Sequence, residues 1–170
     1  MSIAASMLPE FDQEMATTRK VLERVPDDKL DYKPHAKSMT FSQLASHIVE
    51  MVGWVGDTMK EDNFDMAPVD GPKWEAYVAK SNADLLSTFD KNAAAARASL
   101  AAGTDEAMMK TWSLLSGGNV LFSMPRVACI RGMLLNHVIH HRGQLSVYLR
   151  LNDIPVPSIY GPSADDKTFG

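Results

Sequence analysis

The run Asn136-His137-Val138-Ile139-His140-His141-Arg142-Gly143-Gln144-Leu145-Ser146-Val147-Tyr148-Leu149-Arg150 decides how this chain is read. A helix turns about 100° per residue, so side chains three or four positions apart share a face. His137 and His141 are four apart, one turn from each other on the same side. Ile130, Leu134, Leu145 and Tyr148 fall within roughly 80° of that direction, which makes it the apolar, inward side. His140 points roughly 60° to 100° away from its two neighbours, toward the edge of the stripe. Ser123 fits an N-cap and Pro125 a first turn, so the predicted helix runs from there to about Asn152. Ile154-Pro155-Val156-Pro157 then stops it.

Three helical segments precede this one. Leu8, Phe11, Met15, Thr18 and Leu22 form a stripe at three- and four-residue steps, predicting a helix from Ile3 to Arg24 that Pro26-Asp27-Asp28 ends. Thr40 with Gln43 three residues later has the spacing of a capping box. The helix it opens carries Phe41, Leu44, His47, Ile48, Met51, Trp54 and Val55 to about Lys60. Asp62 to Pro72 reads as a polar loop broken by Pro68 and Gly71-Pro72. An alanine-rich third helix is predicted over Lys73 to Ala102, with Gly103 at its C-terminal cap. Trp112-Ser113-Leu114 and Val120-Leu121-Phe122 flank Ser116-Gly117-Gly118-Asn119, the pattern of a short hairpin or ordered loop before the last helix. The expected architecture is all-α, a four-helix bundle in a single domain spanning residues 1–170.

Composition fits that reading. The 170 residues are 45% hydrophobic and 22% charged, ordinary for a globular chain with a real core. Basic residues (17) and acidic residues (21) are interspersed with no basic stripe, which argues against nucleic acid as the partner. No polybasic patch beside an apolar helix points to a membrane surface, and no apolar run approaches the roughly 20 residues of a membrane span. The single cysteine, Cys129, excludes an intrachain disulfide and reads as a small buried apolar residue. The N-terminus has no secretory signal pattern, so the expected location is cytoplasmic.

The histidines carry the chemistry. His47 lies on the apolar stripe of the second helix, so three imidazoles, His47, His137 and His141, face inward from two helices. Burying them is costly unless each ring nitrogen finds a partner. One divalent ion satisfies three nitrogens at once, and neutral imidazole is its natural ligand. The competing reading is three core histidines satisfied by hydrogen bonds inside an interaction bundle. A Glu directly after His137 would make a metalloprotease motif, but Val138 stands there. Arg142 and Arg150 are read as surface residues, His35 as exposed in a proline-containing loop, and His140 as hydrogen-bonded at a helix edge.

The run from Asn136 to Arg150 resembles the last-helix signature of the DinB-like superfamily, the damage-inducible family that includes the YfiT-like proteins. The ending Pro157-Ser158-Ile159-Tyr160-Gly161-Pro162-Ser163-Ala164-Asp165 is similar to that family's. So are Val25-Pro26-Asp27-Asp28-Lys29-Leu30 and Thr40-Phe41-Ser42-Gln43-Leu44-Ala45-Ser46-His47. The resemblance implies a four-helix bundle, often a homodimer, with a metal on one histidine of the second helix and two of the last. These map onto His47, His137 and His141. It also implies activity classes: thiol-dependent transfer with a low-molecular-weight bacterial thiol, or maleylpyruvate isomerisation in a branch that carries a further C-terminal domain.

Three protein ligands leave a coordination position for water or substrate, the layout of a catalytic zinc site. An ion there lowers the pKa of a bound thiol or water, giving a transferase or a hydrolase respectively. Zinc or nickel comes first, with iron and manganese also compatible with imidazole. Gln144 and Tyr148, and after them Glu50, are the candidate supporting residues, each within a turn or two of a ligand. The alternative is a metal-binding stress or sensing scaffold with no turnover.

Overall fold

The computed structural model describes residues 2–168. Its long helices are α1 (Ile3–Leu22), α2 (Phe41–Lys60), α3 (Asn82–Ala101) and a final helical stretch in three parts. Those parts are a short α5 (Arg126–Ala128), a π-helical segment (Cys129–Leu135) and α6 (Asn136–Leu151). A 3₁₀ turn (Asp27–Lys29) follows α1, and a short α4 (Asp105–Met109) follows α3. Among the described residues no helix is long and apolar enough to cross a membrane.

The second helix is the axis of the core. Its capping box forms as its sequence requires: Gln43 N donates to Thr40 Oγ1 at 3.2 Å and Thr40 N to Gln43 Oε1 at 2.9 Å. From there Phe41, Leu44, Ala45, Ile48, Val49, Met51, Val52 and Val55 are all buried. They pack against Leu85, Phe89, Ala96 and Leu100 of α3 on one side and against the last helix on the other. α1 closes the arrangement by packing on α3 and α6 through Phe11, Met15 and its neighbours. Each of the larger of these side chains contributes on the order of 1.5–3 kcal/mol by leaving water. Exposed pairs such as Arg97 with Asp12, at 2.7 Å, add little by comparison.

The fold is mostly helical but not purely so. Strands β1 (Asn63–Asp65), β2 (Thr111–Ser116) and β3 (Asn119–Pro125) form a three-stranded sheet in that order. β2 and β3 are the expected hairpin, turning through Gly117 and Gly118 at φ of 59° and 76°. Both lie in the left-handed region that only glycine enters freely. β1, parallel to β2, falls inside what the sequence suggests is a loop. Three residues are too few to show a period, and pairing with a strand some 50 positions away fixes them. Asp65 then clamps the turn, accepting from Ala67 N, Gly117 N and Gly118 N at 3.0, 3.0 and 2.7 Å.

Two helix starts differ from expectation. The third helix begins at Asn82, capped by Ser81 Oγ accepting from Asp84 N, not at Lys73. Residues 73–80 instead run non-helically along α2, held by its side chains. Glu50 Oε1 accepts from Tyr77 N at 2.7 Å, Ser46 Oγ from Ala79 N at 2.8 Å, and Ser42 Oγ donates to Ala79 O at 2.7 Å. Ser123 does not cap the last helix; it sits in β3, its hydroxyl 2.7 Å from that of Ser113 across the hairpin. Pro125 occupies the cap position instead.

Candidate metal centre

The last helix reaches the site through its π-helical segment. Cys129, Ile130, Leu134 and Leu135 are its buried residues, two pairs spaced by five, which is the hydrogen-bond step of a π-helix. After Asn136 the spacing tightens: Val138, Arg142, Leu145 and Leu149 are buried at steps of four and three. The changeover rotates the helix so that Val138 and Arg142 take the core face. His137 and His141 stand beside that face, half-buried, rather than at its centre. Half-burial is what a reactive site needs, since it leaves the ring nitrogens open to a ligand from solution.

His47 approaches them from α2, also half-buried. Ring centroids are 5.2 Å apart for His47 and His137, 4.8 Å for His47 and His141, and 4.6 Å for His137 and His141. One ligand nitrogen from each residue lies within 4.8 Å of the other two. A tetrahedral ion with bonds of about 2.1 Å would bring such nitrogens to roughly 3.4 Å, a closure that small side-chain rotations supply. The donor set fits a divalent metal of the imidazole-accepting kind.

The local field keeps the three rings neutral. Burial, and then the repulsion His47 would meet from protonated His141 and His137, brings His47 from its ordinary 6.5 down to about 4. His137 is lowered by burial and by His141 and His140, with the Met133 carbonyl opposing. His141 is lowered chiefly by burial, with Gln144 opposing. Neutral imidazole is the ligating form.

Gln144 sits where it can fix a tautomer. Its Oε1 is 2.7 Å from His141 Nδ1, so a proton on Nδ1 leaves Nε2 with a free lone pair. Gln144→Leu is expected to weaken metal affinity about 10-fold, the low end for a ligand's supporting partner because Gln144 is exposed. Competition against a chromophoric chelator measures this, and unchanged affinity would remove Gln144 from the site. Tyr148 is buried and directed elsewhere: its hydroxyl donates to Met39 O at 3.0 Å, and its ring packs edge-on against Phe41 and Tyr32. It still walls an open cavity of about 400 Å³ with Met39, Leu44, His141, Gln144 and Val147. Glu50 holds residues 73–80 through Oε1, while Oε2 is buried with no partner among the described residues. Burial pushes its pKa up. His140 is exposed, its ring 4.9 Å from that of His141, and His35 is exposed with Nδ1 accepting from Lys37 N.

Arg142 is the residue that sequence reasoning misplaced. It is 1% exposed and ion-paired at 2.7 Å to Glu14, itself buried at 5% exposed. It also donates to Thr18 Oγ1 at 3.2 Å and to the Tyr160 hydroxyl at 2.6 Å, while that hydroxyl lies 3.0 Å from Glu14. The C-terminal segment is thereby tied to α1 and to α6 directly beside His141. Arg150 is exposed as expected, pairing with Asp165 at 2.5 Å.

The family model of the DinB superfamily matches residues 10–145, a span that contains all three histidines. The chain belongs to the DinB superfamily. The chain is similar to the uncharacterized protein YrdA of Bacillus subtilis (strain 168), 26% identical over 161 residues, covering 94% of this chain and 89% of that protein. Two solved DinB-like structures share the fold. One, from Bacillus cereus ATCC 10987, has a TM-score of 0.71 at 23% identity, covering 94% of this chain and 98% of that one. The other, YjoA of Bacillus subtilis, has a TM-score of 0.67 at 23% identity, covering 88% and 96%.

Proposed function

We propose that His47, His137 and His141 hold one divalent metal ion and that this DinB-superfamily protein is a metal-dependent enzyme. Zinc or nickel is the first choice, iron or manganese the second. The reaction is transfer involving a low-molecular-weight thiol, or hydrolysis, on a small-molecule substrate, in a cytoplasmic homodimer built on a four-helix bundle. The observation that carries the reading is the convergence of three half-buried imidazoles from two helices, their ligand nitrogens within 4.8 Å of one another.

A bound ion would supply Lewis acidity and lower the pKa of whatever thiol or water takes the position that three ligands leave open. The chain's own residues do the rest. Gln144 orients His141, and burial keeps all three rings unprotonated at neutral pH. The largely apolar cavity next to His141 receives the substrate body. That cavity favours an enzyme over a closed, purely structural or sensing metal site.

Elemental mass spectrometry of the purified protein, beside a His47→Ala, His137→Ala, His141→Ala variant, tests the site. The expected result is about one equivalent of metal in the wild type and none in the variant. No metal in the wild type after soaking with zinc or nickel would overturn the reading. Turnover of thiol–electrophile pairs or an ester panel by the loaded protein then separates the enzyme from a non-catalytic scaffold.

A further inference from the structure

A second cavity, of about 220 Å³, lies further along the groove between α2 and the last helix. Its walls are Trp54 from α2, Phe64 from β1, Trp112 from β2 and Leu134 from the π-helical segment, with Asp57 and Glu61 at the same site. None of the three histidines lines it. Trp54 is seven residues beyond His47, about 10 Å along the helix axis.

Three observations define what would fit. The walls are aromatic on three sides, with the Trp54 and Phe64 ring centroids 5.9 Å apart and tilted by 40°. Aromatic faces carry negative electrostatic potential and attract cations. Asp57 and Glu61 add two carboxylates, and among the described residues neither side chain has a hydrogen-bond or ion-pair partner. Of the neighbouring cations, Lys110 and Arg126 both pair with Asp62, at 2.7 and 2.9 Å, and Arg126 also donates to the Glu61 backbone carbonyl at 3.0 Å. The cavity is therefore apolar and walled by three aromatic rings, with two exposed carboxylates, Asp57 and Glu61, at its mouth. It is also smaller than the roughly 300–1,000 Å³ that hold drug-sized ligands, so the occupant is compact.

We propose that this cavity binds a small organic cation, an ammonium or quaternary ammonium group on a short apolar body. The carboxylates attract the charge, the rings replace its weak hydration shell, and an anion of the same size is rejected. The site stands apart from the histidines and does not require a metal there.

Choline and its uncharged isostere 3,3-dimethylbutan-1-ol make the test, titrated into the full-length protein with tryptophan fluorescence and calorimetry as readouts. Choline is expected to saturate and to bind at least about tenfold more tightly than the alcohol. In an Asp57→Asn, Glu61→Gln variant, which keeps the cavity's shape, that preference should fall to within about threefold while the alcohol's own affinity holds. Trp54→Leu should weaken choline more than the alcohol, with circular dichroism confirming the fold of both variants. The His47→Ala, His137→Ala, His141→Ala variant should retain the preference, which separates this site from the metal reading. Equal affinities for the two isosteres, a preference that survives in Asp57→Asn, Glu61→Gln, or no saturable binding of choline would each overturn the proposal.

Discussion

Alanine at His137 is expected to lower divalent-metal affinity by roughly 100- to 1,000-fold. Four-ligand zinc sites are worth on the order of 10–16 kcal/mol, so each ligand carries about 2.5–4 kcal/mol, or two to three powers of ten. His47→Ala and His141→Ala should lose similar amounts, because each supplies one of only three nitrogens. Competition titration with a chelator of known affinity measures all three. A loss below about fivefold at His137 would mean that the ion, if bound, sits elsewhere.

Acid should act on the same residues in the metal-free protein. His47 has a folded pKa of about 4 against an ordinary 6.5, and His137 and His141 are lowered too. Between those values the unfolded chain binds protons that the folded chain refuses. Stability present above pH 6.5 is therefore lost as the pH falls toward about 4. Denaturant melts of metal-free wild type across that window should show the decline, and His47→Ala should flatten part of it. A difference between the two proteins that stays constant with pH would show that His47 titrates normally in the fold.

How much of this was legible depended on the range of the interactions involved. Local signals read correctly: Thr40 and Gln43 are three residues apart and make both bonds of the capping box. Gly117-Gly118 is a turn because adjacent residues need positive φ. The histidine pair was legible for the same reason, since a spacing of four fixes a shared face whatever the tertiary context. His47 joins them through packing between α2 and the last helix, which its place on an apolar stripe anticipates.

Features set by distant partners were not legible. Residues 73–80 precede an alanine-rich helix and look like its first turns, yet Ser42, Ser46 and Glu50 of α2 claim their backbone groups. Strand β1 exists only because β2 lies beside it. Arg142 looked like a surface residue because nothing near it in sequence is acidic; its partner, Glu14, is 128 positions away. The π-helical segment did leave a trace. The pairs Cys129-Ile130 and Leu134-Leu135 repeat at five, a step that an α-helical template passes over.

Glu14→Ala is expected to cost roughly 3–5 kcal/mol of stability. The substitution leaves the Arg142 guanidinium 1% exposed with its charge uncompensated. Thr18 Oγ1, the Glu14 backbone carbonyl and the Tyr160 hydroxyl remain as neutral acceptors, which cannot replace a carboxylate. At about 2–4 °C per kcal/mol for a chain of this size, Tm should fall by roughly 10 °C. Replacing both partners, Glu14→Leu with Arg142→Met, removes the buried charges together and should recover stability to within about 1 kcal/mol of wild type. Calorimetric melts of the two proteins decide the matter. Because Arg142 directly follows His141, the same experiment probes the metal centre. Rotation of α6 about its axis moves the histidine ring with the guanidinium, so Glu14→Ala should also weaken metal affinity, whereas the well-packed double variant should regain it. A double variant as unstable as Glu14→Ala would mean that the ion pair contributes net stability of its own. A Glu14→Ala variant with wild-type Tm would mean that Arg142 reaches solvent and the interior here is looser than its packing implies.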